Sequence, residues 1–127
     1  MTLQAYQSVR RSTLVEGASP HQLIAMLYDG ALSNITIARK HLAQNRGYQM
    51  HVHIDKAIAI VQELQASLKD YETNELAGNL FELYSFITST LISANQNKED
   101  DSLRTCLELI EILKDAWQAI SPEQVAA

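Results

Sequence analysis

Apolar residues recur along this chain in four blocks, at steps of three and four positions, with short polar breaks between them. Ile24, Tyr28, Ala31, Ile35, Ala38 and Leu42 form the first stripe. Ile54, Ile58 (with Ala57), Val61, Leu64, Leu68 and Tyr71 form the second. Leu76, Leu80, Leu83, Ile87, Leu91 and Ala94 form the third, and Leu103, Cys106, Ile110, Leu113, Trp117 and Ile120 the fourth. That spacing lines one side of a helix, whereas a half-buried strand would alternate every second residue. No stretch shows the strand pattern.

The breaks carry helix punctuation. Ser19 is a good N-cap, Pro20 suits the first helical turn, and Gln22 completes a capping box, so the first helix starts at Pro20. Gly47 in "NRGY" is expected to end it as a left-handed cap. Thr73 or Asn74 caps the third helix. The fourth follows "NQNKEDD", places Glu99, Asp100 and Asp101 at its positive end, and stops before Pro122. Helices of roughly 18–26 residues span about 27–39 Å at 1.5 Å per residue. Links this short make consecutive helices antiparallel neighbours. The expected fold is all-α, an antiparallel up-down-up-down four-helix bundle with a short N-terminal helical segment. Residues 1–18 are assigned to that segment and its tether, 19–121 to the bundle and 122–127 to a flexible tail. Leu3, Tyr6 and Val9 share a face of the N-terminal segment, which is too short to be helical alone.

A bundle helix needs about three apolar positions in seven. Of the 21 residues at 23–43, 13 are apolar. The surplus forms a second stripe: Leu23 and Leu27 on the first helix, Ala77, Tyr84 and Phe86 on the third, and Leu109, Ile112 and Ala116 on the fourth. Surface alanines or a homodimer contact account for part of it. The sharper expectation is an exposed groove, since contiguous apolar patches mark partner sites.

Composition removes other readings. Hydrophobic residues are 46% of the 127, charged residues 20%, and the net charge is −5, as in an ordinary soluble domain. The acidic balance, with no cluster of Lys and Arg, speaks against nucleic acid. Cys106 is the single cysteine, so no internal disulfide forms, and it reads as a buried small hydrophobe. With no signal peptide and no apolar run of membrane-spanning length, the reading is cytoplasmic, without direct membrane insertion. A di-iron bundle needs inward carboxylates and Glu-x-x-His pairs. None of His21, His41, His51 and His53 follows a Glu by three, so no metal site is expected. His41 in "ARKHLA" is the one candidate for histidine phosphotransfer. No phosphate loop or catalytic triad pattern is present, and no cofactor is expected.

The stretch "SPHQLIAMLYDGA" (19–31), preceded by "AYQSV" (5–9), resembles the flagellin-specific export chaperone family FliS. Three further segments match in order: "KAIAIVQELQASL" (56–68), "LAGNLFELYSFITSTLISAN" (76–95) and "DAWQAIS" (115–121). The resemblance implies a cytosolic bundle that binds the C-terminal segment of flagellin, which is disordered when free. Covering that segment prevents premature polymerisation, and the complex passes to the export-gate protein FlhA. The role requires no catalysis. On the matching motif positions, Leu23, Leu27, Tyr28, Lys56, Asn79, Tyr84 and Asn95 become candidate flagellin contacts. Leu3 and Tyr6 match an N-terminal segment that lies over the bundle without client and meets the export gate. Gly30 would allow close helix approach. Ser19 and Pro20 read as structural, Leu80 and Leu83 as core, and Trp117 as a plug at the bundle end. A homodimer of the free protein is a further reading.

Overall fold

The computed structural model describes residues 19–120, which fold into α1 (Pro20–Ala43), α2 (Gly47–Ala66), α3 (Glu75–Asn97) and α4 (Asp100–Gln118). No strand occurs among the described residues. Each helix packs on the next in the chain, and α4 packs back on α1. Links of a few residues reverse the chain each time, so the helices run up, down, up, down around one core. The N-terminal segment, the tail from 122 onward and Ser121 lie outside the described residues, and so do Leu3 and Tyr6.

The α1 start is as expected. Gln22 N donates to Ser19 Oγ at 3.2 Å, and Ser19 N donates to Gln22 Oε1 at 2.7 Å. Its end is not. Asn45, with φ 58°, takes the left-handed position, and Gly47 is the first residue of α2. Arg46 N donates to His41 O at 2.9 Å and Asn45 N to Leu42 O at 3.1 Å. These are the paired bonds of a Schellman end, and asparagine tolerates the left-handed backbone that glycine was expected to supply. Lys98 (φ 54°) is the left-handed cap of α3, and Asp70 (φ 57°) takes the same backbone inside the longer link that follows α2. Asn74 caps α3, its Oδ1 accepting from Ala77 N at 3.0 Å. Asp100 and Asp101 occupy the first turn of α4, as the helix dipole favours.

Ile35, Met50, Ile54, Ile60, Leu64, Ile87, Leu91, Leu103 and Ile110 are fully buried. Each such side chain contributes about 1.5–3 kcal/mol relative to exposure. Cys106 lies among them, as its apolar setting implied, and burial pushes its thiol up to about 12. The expected stripes hold in the middle of each helix and fail near one end of the bundle. The second helix ends at Ala66, so Leu68 and Tyr71 lie past it, and Tyr71 stacks on Phe81 with ring centroids 4.2 Å apart. On α3 the core position falls to Tyr84. Its hydroxyl lies 2.6 Å from that of Tyr28, diagonally across the bundle. Leu80 and Leu83 are thereby moved to a flank, and Leu76 is 70% exposed. Burial raises the pKa of both tyrosines, most for Tyr84.

Trp117 packs against the core near the bundle end and also acts as a clasp. Its Nε1 donates to His21 O at 2.9 Å, while His21 Nε2 donates to Trp117 O at 3.0 Å. The rings stack 5.0 Å apart. The pair ties the start of α1 to the end of α4. No described helix is long and apolar enough to cross a membrane.

Candidate functional site

Helix α3 has two flanks. One carries Phe81, Ser85 and Asn95 and is bonded to α2. Gln65 Nε2 donates to Phe81 O at 2.9 Å and to Ser85 Oγ at 2.7 Å. Asn95 Oδ1 meets His51 Nδ1, and Asn95 Nδ2 donates to Asp55 Oδ1 at 3.2 Å. Helical spacing puts Leu76, Leu83 and Phe86 on the opposite flank, toward α4. Helix α4 is sided in the same way. Asp100 meets Arg39 and Lys114 meets Asp29, both on α1, at 2.8 and 2.6 Å. Leu109, Ile112 and Ala116 therefore lie on the flank toward α3.

Among the described residues, the one side-chain hydrogen bond joining α3 to α4 is the weak one from Cys106 Sγ to Ile87 O, at 3.7 Å. Toward the Leu76 end the two flanks are open to solvent. Leu76 is 70%, Phe86 52% and Ile112 64% exposed. Half-buried Leu80, Leu83, Leu109 and Leu113 rest against the core beneath them. Contiguous exposed apolar residues of this kind make the face the candidate docking surface. Its chemistry is shape and burial, not bond making.

This face uses only part of the expected surplus. Phe86, Leu109, Ile112 and Ala116 belong to it. Leu23 and Leu27, expected on an outer stripe, are 8% and 4% exposed. Tyr28 and Tyr84, offered as client contacts, are core residues bonded to each other. Helix α1 packs closely on both α2 and α4, and that packing covers Leu23 and Leu27 as well as the first stripe. The polar candidates are scattered. Lys56 and Asn79 are exposed on different helices, and Asn95 sits in the α2–α3 furrow. Leu76 was counted as core although it is the most exposed leucine of the face. The run "NLFELYSFI" offers two overlapping apolar registers, and only the position of Tyr28 selects between them.

The histidines are structural in their surroundings. His41 and His53 stack with centroids 5.6 Å apart, and His53 Nδ1 lies 2.9 Å from Asn34 Oδ1. Desolvation lowers the His53 pKa, and the nearby Lys56 and His41 charges add to that. His41 Nδ1 is buried without a hydrogen-bond partner among the described residues. A phosphate carrier needs an accessible ring, so this setting does not favour phosphotransfer. No group of three His, Cys, Asp or Glu among the described residues is placed to hold a metal ion.

Comparison with known proteins places the chain in a family. The family model described as "Flagellar protein FliS" matches residues 2–124. The Flagellar secretion chaperone FliS of Salmonella typhimurium (strain LT2) is 36% identical over 122 residues, covering 95% of this chain and 90% of that protein. Its counterpart in Vibrio cholerae is 30% identical over 122 residues, covering 96% and 90%. The Flagellar secretion chaperone FliSB of Pseudomonas aeruginosa is 32% identical over 119 residues, covering 94% of each.

Proposed function

This chain belongs to the FliS family, whose matched relatives are flagellar secretion chaperones, and from that premise we propose that it is a cytosolic export chaperone for flagellin. In this reading it holds flagellin's C-terminal segment until the export-gate protein FlhA receives the complex. The observation that carries the reading is the open apolar face between α3 and α4, with Leu76, Phe86 and Ile112 more than half exposed. A segment that is disordered when free loses backbone entropy on binding. It offsets that cost only by burying a long apolar stripe. The α3–α4 face offers such a stripe in place of the contacts the segment makes in the filament. Polymerisation is blocked while the stripe is covered.

The polar candidates fit a client that continues past the face. Asn79 adjoins it on α3, while Asn95 and Lys56 lie further round the bundle. Leu3 and Tyr6 are proposed to cover the face until flagellin arrives and then to meet the gate. Nothing in this cycle requires a cofactor.

The test is a calorimetric titration of the full chain with the last ~50 residues of its cognate flagellin. One-to-one binding with a large negative heat-capacity change is expected, since apolar burial carries that signature. No binding, with a stable homodimer on size-exclusion chromatography, would replace the chaperone reading with a structural one.

A further inference from the structure

The α3–α4 face is bordered by charge of one sign. Glu75 and Glu82 edge it along α3, and Glu108 and Asp115 edge it along α4, all four exposed. Helix α3 carries no Lys or Arg. The two basic side chains of α4 are already engaged, Arg104 with Asp101 at 3.0 Å and Lys114 with Asp29 on the α1 side.

At the Leu76 end this border becomes a cleft of about 360 Å³, lined by Tyr71, Glu72, Glu75, Gly78, Phe81 and Glu82 among others. Two features define it. Three carboxylates surround it, and the Tyr71–Phe81 stack gives it an aromatic wall. Gly78 keeps the cleft's backbone tight, because a Cβ there would lie 2.9 Å from Tyr71 O. The cleft adjoins the outer edge of the apolar face through α3. Glu75, Asn79, Glu82 and Phe86 follow at steps of four, three and four on α3, so the carboxylates and the Phe86 ring share one stripe.

We infer that this cleft is a subsite for a cationic side chain, preferentially arginine, carried by the flagellin segment beside the apolar stripe that lies on α3 and α4. A guanidinium suits both features. Its planar face stacks on an aromatic wall, and its fork of donors meets carboxylates in pairs. Lysine offers a point charge without the stack. The apolar face supplies most of the affinity, and the cleft fixes register, since a segment slid by one turn leaves its cation on leucine. The inference rests on the client reading above and adds which chemistry the client must carry, and where.

The experiment is a titration of two full-length chains, wild type and Glu72→Gln/Glu75→Gln/Glu82→Gln, with two peptides at low and high salt. One peptide is the last ~50 residues of the cognate flagellin; the other is the same peptide with every Arg and Lys replaced by Gln. The three glutamates are exposed, so circular dichroism is expected to show an unchanged fold. The expected result is about tenfold weaker binding for either change alone, roughly 1.4 kcal/mol. Little further loss is expected when the two are combined, and the salt dependence should flatten in every altered pair. Binding of the native peptide that ignores the triple substitution overturns the subsite and leaves the chaperone reading standing. Tighter binding by the triple variant also overturns it, and points to Arg10 and Arg11 of this chain as the occupants. Failure of wild type to bind the native peptide at either salt overturns both.

Discussion

Between α1 and α2 the helices close on each other. Gly30 has no Cβ to hold Ile60 away; one built there would lie 3.2 Å from Ile60 Cδ1. Ala38 and Ala57 are fully buried in the same pair. Two contacts cross the seam from outside, His53 to Asn34 and the His41–His53 stack, and Asn34 is held in place within α1 by its Nδ2 donating to Gly30 O at 2.8 Å. Between α3 and α4 the facing positions are Leu83, Phe86, Leu109 and Ile112. These are large side chains with one weak hydrogen bond across the seam. Both pairs are rich in apolar residues. What separates them is side-chain size and the polar stitching at the rim. Small residues let a helix pair seal itself, and large unstitched ones leave surface for another chain.

The largest expected effect contrasts one leucine from each half. Leu27→Ala removes a buried side chain and should cost about 2–5 kcal/mol in denaturant unfolding. Leu76→Ala, on the open half, should change stability by no more than about 0.5 kcal/mol. Equal losses would erase the distinction. Next comes binding. Phe86→Asp/Ile112→Asp should weaken capture of the flagellin segment at least about tenfold, roughly 1.4 kcal/mol, at an unchanged melting temperature. Leu27→Asp would lower binding only by unfolding the chain, which circular dichroism distinguishes. A smaller effect concerns the link between α3 and α4. Lys98 holds φ 54°, so Lys98→Gly should stabilise the bundle by about 0.5–1 kcal/mol. A loss of stability would mean that its side chain contributes more than its backbone costs.

The smallest effect is the pH dependence of the α1–α4 seam. Arg39 Nε and Nη2 donate to Asp100 Oδ1 and Oδ2 at 2.8 and 3.1 Å. The hydrogen bonds from Arg39 hold the Asp100 carboxyl below its ordinary value. A group depressed in the folded state contributes stability above its unfolded pKa and loses it as pH falls through the folded one. Both side chains are partly exposed, so solvent screening limits the contribution to at most about 1 kcal/mol. Asp100→Asn should remove that part of the acid sensitivity below about pH 4 and leave stability at pH 7 lower by the same small amount. His53, with its pKa lowered, adds a loss of stability in the same direction, at a higher pH.

Much of this architecture can be read from the residues alone. The Ser19–Gln22 capping box, the Asn74 cap, the acidic start of α4 and the central part of each stripe all depend on local spacing, and all occur as expected. What depends on distant partners was misplaced. One local reading also failed: Gly47 was expected as the left-handed cap of α1 because glycine is the commoner left-handed residue, yet Asn45 takes that position. Leu23 and Leu27 looked like surplus because a periodicity count does not show how closely α1 packs on α2 and α4. Leu76 looked like core because nothing local reveals that Tyr84 has a hydroxyl partner 56 positions earlier in the chain. The open face was visible as an excess of apolar residues on the third and fourth helices. Its position was not, because that depends on which of two registers faces the core.

Amide hydrogen exchange on the full chain, with and without the last ~50 residues of the cognate flagellin, tests the docking face most directly. New protection is expected to concentrate in residues 76–86 and 109–116, with α1 and α2 little changed. Protection confined to the α1–α2 seam, with those two stretches exchanging as in the free protein, would contradict the account.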